Sequence, residues 1–369
     1  MHSNDRNPSP HKVTLHLFNP ENDLALALGC RHYTPPPHAV AIHNAGALLP
    51  MWWAEKEDRV IAPEIMQTEA SRLARRFGLN GVIAGDVCGV TSLSPWGWSL
   101  DAKRQFLRAG VDGGILPDDA SIERIRQLSH RRMSVEILTR LDSDNPIAIE
   151  TTDPDVVVEA ERNNPGCYVK SPWSSSGRGV FCARSLDENA LRRRAAGIIH
   201  RQGSVMVERG LDKVADFAAL FHSDGHRVSF RGLSLFSTET RGMYSGNVVA
   251  PQSYIESRLS EMIDPEILMT LINREEEILT ELTASAYQGW MGIDMMVYND
   301  GGRLRVMPCV ELNLRMTMGV VAMKVCERLG VETPHFLAWE HKENNSLESS
   351  ESLIMLPPTD GFTLRLTKI

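Results

Sequence analysis

The segment Tyr168-Val169-Lys170-Ser171-Pro172-Trp173-Ser174-Ser175-Ser176-Gly177-Arg178-Gly179-Val180 delivers a lysine at the end of a short apolar run and follows it with small residues. Gly177 and Gly179 let backbone N–H groups approach a polyphosphate closely, the serines add hydroxyl donors, and Lys170 supplies a point charge that phosphate binds. Such a loop can close over phosphates as a flap. The plainer alternative is a solvated hairpin whose Ser and Gly only make the turn. The chain contains neither GxxxxGK[ST] nor GxGxxG, so phosphate chemistry here needs an architecture other than the P-loop or the dinucleotide fold.

A second group is Val310-Glu311-Leu312-Asn313-Leu314-Arg315, with Gly292-Ile293-Asp294-Met295-Met296 on the preceding strand. Alternate residues of a strand share a face, so Glu311 and Asn313 project together while Val310, Leu312 and Leu314 point into the core. Asp294 can converge on them across the hairpin. Two carboxylates and an amide oxygen are hard ligands suited to Mg²⁺, which completes its shell with water and substrate phosphates. Arg315, further along the same strand, suits the charge that develops at a phosphoryl group in transfer. The alternative is a half-buried sheet that shows Asp294 and Glu311 to solvent. Weaker signals are Val205-Met206-Val207-Glu208, continuing to Asp216, and the polar stretch Thr240 to Asn247. In the second, Arg241 can meet a substrate carboxylate or phosphate, and a plain surface loop is the alternative.

The elements that would position these groups follow from periodicity. His11 to Phe18 alternates as a strand, Asn19-Pro20-Glu21-Asn22-Asp23 can lie over a substrate pocket but is explained more cheaply as a turn and helix cap, and short apolar runs at Val60-Ile61-Ala62 and 81–84 flank a helix from Thr68 to Phe77. An open α/β unit up to about Trp98 results. Helices over Leu100 to Ala109 and Ser121 to Leu138, the second broken near Ser129-His130, lead into an α+β pattern of short strands and helices. A helix from Asp264 to Tyr287 precedes two strands joined by the hairpin signal Asn299-Asp300-Gly301-Gly302. A helix ends at Leu329 with Gly330 behind it, and Asn344 to Ser352 reads as a mobile linker before a last strand from Phe362. Pro308 removes a ladder donor, so the strand bearing Glu311 must be bulged or lie at an edge.

Composition narrows the function classes. The 369 residues are 42% apolar and 23% charged, an ordinary globular balance large enough for two or three compact units. A net charge of −8 argues against a nucleic-acid partner. The six cysteines form no CxxC pair, so neither zinc nor a disulfide framework is signalled. No run reaches the length of a transmembrane helix, and the N-terminus lacks a secretory pattern, so the expected location is the cytoplasm.

Taken in order from about Leu128 to Thr333, over half the chain, these features resemble the ATP-grasp superfamily. The resemblance implies an ATP-grasp fold behind an N-terminal Rossmann-like unit. It implies units at 1–125, 126–203, 204–340 and 341–369, the last a linker and strand. ATP phosphates would be bound by Lys170 and the loop Ser174, Ser175, Ser176, Gly177, Arg178 and Gly179, with adenine and ribose near Glu208 and Asp216. Asp294, Glu311 and Asn313 would hold Mg²⁺, with Mn²⁺ as a substitute, and Arg315 would contact phosphate or intermediate. Arg131 or Arg132 stands where the family commonly has its first lysine. The implied activity is ATP-dependent joining of a small-molecule carboxylate to an amine, by a chain that can pair as a homodimer. The alternatives are a small-molecule kinase and a non-catalytic ATP-binding protein.

Overall fold

A computed structural model describes residues 12–174, 177, 179–239, 243–341 and 351–369, whose strands form three sheets. The first sheet is parallel. It contains β1 (Val13–Leu17), followed by α1 (Asn22–Leu28) and α2 (Pro37–Gly46), then β2 (Arg59–Val60), α3 (Gln67–Phe77), β3 (Val82–Ile83) and β4 (Val90–Pro95). The order is β3-β2-β1-β4, so the chain steps outward from β1 on one side and returns beside it on the other. That reversal makes a switch point at the carboxyl ends of β1 and β4, the crevice in which open α/β sheets bind ligands. The sequence reading lacks β4, because Val90-Thr91-Ser92-Leu93-Ser94-Pro95 is half polar and carries no apolar run.

Three helices follow, α4 (Leu100–Arg108), α5 (Asp119–Leu128) and α6 (Arg132–Arg140), with the expected break at Ser129-His130. The second sheet is antiparallel and small. It is built from β5 (Ile149–Thr151), α7 (Pro154–Asn163), β6 (Tyr168–Lys170), β7 (Val180–Cys182), α8 (Glu188–Gln202) and β8 (Val205–Glu208), in the order β5-β8-β6-β7.

The third sheet has eight strands in the order β13-β12-β9-β10-β11-β14-β16-β15. Its elements are β9 (Asp212–Ser223), β10 (Val228–Thr238), β11 (Tyr244–Val249), α9 (Gln252–Ser260), α10 (Pro265–Thr283), β12 (Gly289–Asp300), β13 (Arg303–Asn313), α11 (Met318–Leu329), β14 (His335–His341), β15 (Ser352–Thr359) and β16 (Phe362–Lys368). Along β9, Phe217, Ala219 and Phe221 pack against α9 and α10, while Ala218 and Leu220 pack against α11. A strand covered on both faces must be apolar throughout, which explains the unbroken run Phe217-Ala218-Ala219-Leu220-Phe221.

The β12–β13 turn forms where expected, with Gly301 and Gly302 at φ of 61° and 92°, a conformation other residues adopt only under strain. β13 is an edge strand, and its register slips between the pairs Asp294–Glu311 and Met296–Met307, the interval containing Pro308. Two differences from the sequence reading stand out. Tyr244 to Asn247 belongs to β11 rather than to a surface loop, because it pairs with both β10 and β14. Beyond α11 the chain adds β14 and β15 as well as the expected last strand, and all three extend the large sheet. Most of the linker expected from Asn344 lies outside the described residues, and its last residue, Ser352, opens β15. Among the described residues no helix is long and apolar enough to cross a membrane.

Phe221 is fully buried at the centre of this packing. Phe221→Ala is expected to cost about 3–5 kcal/mol of stability, read as a lowered urea midpoint with unchanged slope; a loss below about 1 kcal/mol would contradict the two-sided core.

Candidate active site

All three sheets contribute to one cavity of about 810 Å³. Asp294 on β12 faces Glu311 on β13 as a direct cross-strand partner, and Gly292 faces Asn313. The three oxygen-bearing side chains therefore gather on one face, and all three line the cavity. Like charges placed opposite each other on a sheet repel. Burial and the Glu311 charge raise the Asp294 carboxyl to about 7, against the lowering effects of Arg315 and a hydrogen bond from Asn313. A proton or a cation must settle that repulsion, and the oxygen donors suit a hard divalent ion. Among the described residues no three His, Cys, Asp or Glu side chains cluster as a metal site, so an amide would have to serve as the third protein ligand here.

Cations surround the pair. Arg131, buried at the start of α6, reaches Glu311 at 3.0 Å. It also donates to the Ser171 carbonyl at 3.0 Å and the Ser174 hydroxyl at 3.1 Å. Arg131 thus fastens the base of the Gly-rich loop to the carboxylate strand. Arg132 is not brought in; it turns away to Glu150 at 3.0 Å. Arg315 pairs with Asp23 of α1 at 2.9 Å. Burial opposes its charge, but Asp23, Glu311 and Asp294 outweigh burial and raise its pKa.

Lys170 is buried at the end of β6 and forms an ion pair with Glu208 on β8. Asp216 on β9 accepts from Lys213 at 2.5 Å and from Thr238 at 2.8 Å. Gly177 and Gly179 both have positive φ, and a Cβ on Gly179 would approach the Ser171 hydroxyl to 2.8 Å. Lys170, Gly177, Glu208 and Asp216 line the same cavity as Asp294. Ser175, Ser176, Arg178 and Arg241 lie outside the described residues.

The N-terminal unit enters the site through the segment 19–23, of which Pro20 and Glu21 line the cavity. Asn19 exchanges hydrogen bonds with the Gly97 carbonyl at 2.9 Å and its N–H at 3.3 Å, and the Met316 N–H donates to the Trp96 carbonyl at 2.7 Å. The Asn19–Gly97 bonds hold the two loops of the switch point together, and the Met316–Trp96 bond and the Asp23–Arg315 pair tie it to the chain just beyond the strand that carries Glu311. The helix that follows has no side-chain cap, so capping does not account for the run Asn19-Pro20-Glu21-Asn22-Asp23.

Solved structures share this fold. Biotin carboxylase of Campylobacter jejuni, crystallised as a beta-gamma-ATP complex, aligns with a TM-score of 0.54 at 10% identity over 97% of this chain and 87% of its own. N5-carboxyaminoimidazole synthetase of Staphylococcus aureus, complexed with ADP, aligns at 0.52 and 10% identity over 99% and 96%. N5-carboxyaminoimidazole ribonucleotide synthetase of Thermus thermophilus aligns at 0.50 and 14% identity over 97% and 94%. The chain has the ATP-grasp fold. No family model matches it. A curated relative, the biotin-dependent acyl-coenzyme A carboxylase alpha3 subunit of Mycobacterium leprae, is 27% identical over 149 residues, 37% of this chain. The chain spans 24% of that relative's length.

Within the ATP-grasp fold, the raised Asp294 carboxyl has a stability consequence. An unfolded aspartate titrates near about 3.9, and Asp294 in the fold titrates at about 7. The folded state therefore holds an extra proton between these values. The stability it contributes is complete below the lower value and is lost as pH rises through the upper one. Asp294→Asn carries no charge at either end. Its Tm, measured without divalent metal, is expected to gain on the wild type between about pH 5 and pH 8; an unchanged difference would contradict the repulsion.

Proposed function

We propose that this chain is an ATP-dependent ligase that joins a carboxylate to an amine or similar nucleophile through an acyl phosphate, releasing ADP and phosphate. The observation that carries this reading is the convergence of Asp294, Glu311 and Asn313 with Lys170, Arg131 and Arg315 around one cavity. Nucleotides named with the C. jejuni and S. aureus structures support ATP as the energy source.

Asp294, Glu311 and Asn313 would hold Mg²⁺, for which Mn²⁺ could substitute. A divalent ion held there would supply neutralisation of phosphate charge, leaving little covalent work to the protein. Lys170 exchanges Glu208 for phosphate, and the loop through Ser174 and Gly179, with Ser175, Ser176 and Arg178, closes over it. Arg131 acts in the place of the family's first lysine, with Arg132 beside it. Glu208 and Asp216 take the nucleoside end. Arg315 and Arg241 receive the charge that builds as the phosphoryl group moves to the substrate carboxylate. The unit at 1–125 shapes the acceptor site, and those at 126–203 and 204–340 clamp the nucleotide, with 341–369 completing the sheet.

An ADP-release screen over amino acids, dipeptides and small carboxylates, with hydroxylamine present, tests the reading. ADP release and hydroxamate should rise together with the right acid, require Mg²⁺ or Mn²⁺, and fall about 100-fold or more in Asp294→Asn and Glu311→Gln. ADP release with a hydroxyl acceptor and no hydroxamate would make the chain a kinase, and MgATP binding without turnover would make it a nucleotide-binding protein.

A further inference from the structure

The parallel sheet contributes its own wall to the cavity, and that wall contains a carboxylate the nucleotide chemistry does not use. Phe18 and Glu21 follow β1, Trp96 follows β4, and Leu24 and Ile42 come from α1 and α2. This is the switch point of the sheet, where a ligand belongs on topological grounds alone. Glu21 is its buried charge. The side chain is 3% exposed, and its two oxygens lie 3.0 and 3.2 Å from Nδ1 of His43, whose side chain is 25% exposed. Among the described residues no lysine, arginine or backbone N–H donates to the Glu21 carboxylate. A buried carboxylate with one imidazole partner keeps unused acceptor sites, and those sites border the cavity. Two residues on, Asp23 is held by Arg315, so the turn that carries Glu21 is pinned to the strand that carries Glu311.

We propose that Glu21 receives the ammonium of the attacking amine and removes its proton, and that the substrate bears this amine on an apolar body packed by Phe18, Leu24, Ile42 and Trp96. The inference rests on the ligase reading above. An ammonium sheds two protons on becoming an amide. The first passes to the Glu21 carboxylate and frees the nitrogen lone pair. The nitrogen then attacks the acyl carbon, the C–N bond forms, the bond from that carbon to the phosphate oxygen breaks, and the second proton leaves with inorganic phosphate. Glu21 returns its proton to solvent as the product departs. His43 is a positioning residue, whose Nδ1–H fixes the carboxylate. Glu21 would repel an acidic amine side chain and the apolar wall would leave it unsolvated, so apolar amines are preferred over acidic ones.

The test is a partition between two nucleophiles in the full-length protein, using the acid and amine that turn over fastest in a panel of amino acids and dipeptides. Hydroxylamine attacks the acyl phosphate as a neutral molecule and needs no ammonium deprotonation. Glu21→Gln is expected to lower the ratio of amide to hydroxamate by about 10²–10⁴-fold. His43→Leu should lower the same ratio, and His43→Asn, which keeps a donor near the Nδ1 position, should restore part of it. Equal loss of both products in Glu21→Gln, with an unchanged melting temperature, would overturn the proposal while leaving the ligase reading intact. Wild-type protein that makes no hydroxamate from any acid would overturn both.

Discussion

Two carboxylates facing each other across a hairpin govern the rest of this structure. Asp294 and Glu311 are opposed in register, and positive charge from elsewhere in the chain offsets their repulsion. Arg131 arrives from α6 and Arg315 from the end of β13. Each of these arginines also holds a second element, the base of the Gly-rich loop in one case and α1 through Asp23 in the other. Neutralising the site and joining the three sheets around it are therefore one task. Ion pairs this buried differ from the surface pairs elsewhere on the molecule, such as Arg162 with Glu188: removing one partner strands an unpaired charge away from water.

The large sheet makes that arrangement rigid. β9 is buried on both faces, β12 is aligned against it along its length, and β13 is aligned against β12. Side chains projecting from β12 and β13 inherit their positions from this stack. The loop between β6 and β7, in contrast, is fastened at its base by Ser171 and Ser174 and turns on glycines at positive φ. A carboxylate platform sharing one cavity with Lys170 and Gly177 suits binding a polyphosphate between them.

Much of this was legible in the residues. Strand periodicity put Glu311 and Asn313 on one face, the Asn-Asp-Gly-Gly turn made Asp294 their neighbour, and Pro308 announced the irregular edge; all three rest on local rules. The electrostatic wiring was not legible. Nothing near Arg131 in the sequence says that it, rather than Arg132, turns inward, because the choice depends on Ser171, Ser174 and Glu311, all distant in the chain. β4 and β11 escaped notice for a related reason. Their runs, Val90 to Pro95 and Tyr244 to Val249, are too polar or glycine-containing to register alone, and pairing with β1, β10 and β14 makes them strands. The role of Asn19 to Asp23 is not legible locally, since its partners Gly97 and Arg315 are 78 residues from Asn19 and 292 residues from Asp23 along the chain.

The most direct measurement is a crystal structure of the full chain grown with Mg²⁺ and a non-hydrolysable ATP analogue. The account predicts a metal bound by oxygens of Asp294, Glu311 and Asn313 at about 2.0–2.1 Å, with Lys170 moved from Glu208 to a phosphate. A nucleotide seated with its metal away from these three residues, or Lys170 still paired to Glu208 with phosphates bound elsewhere, would contradict it.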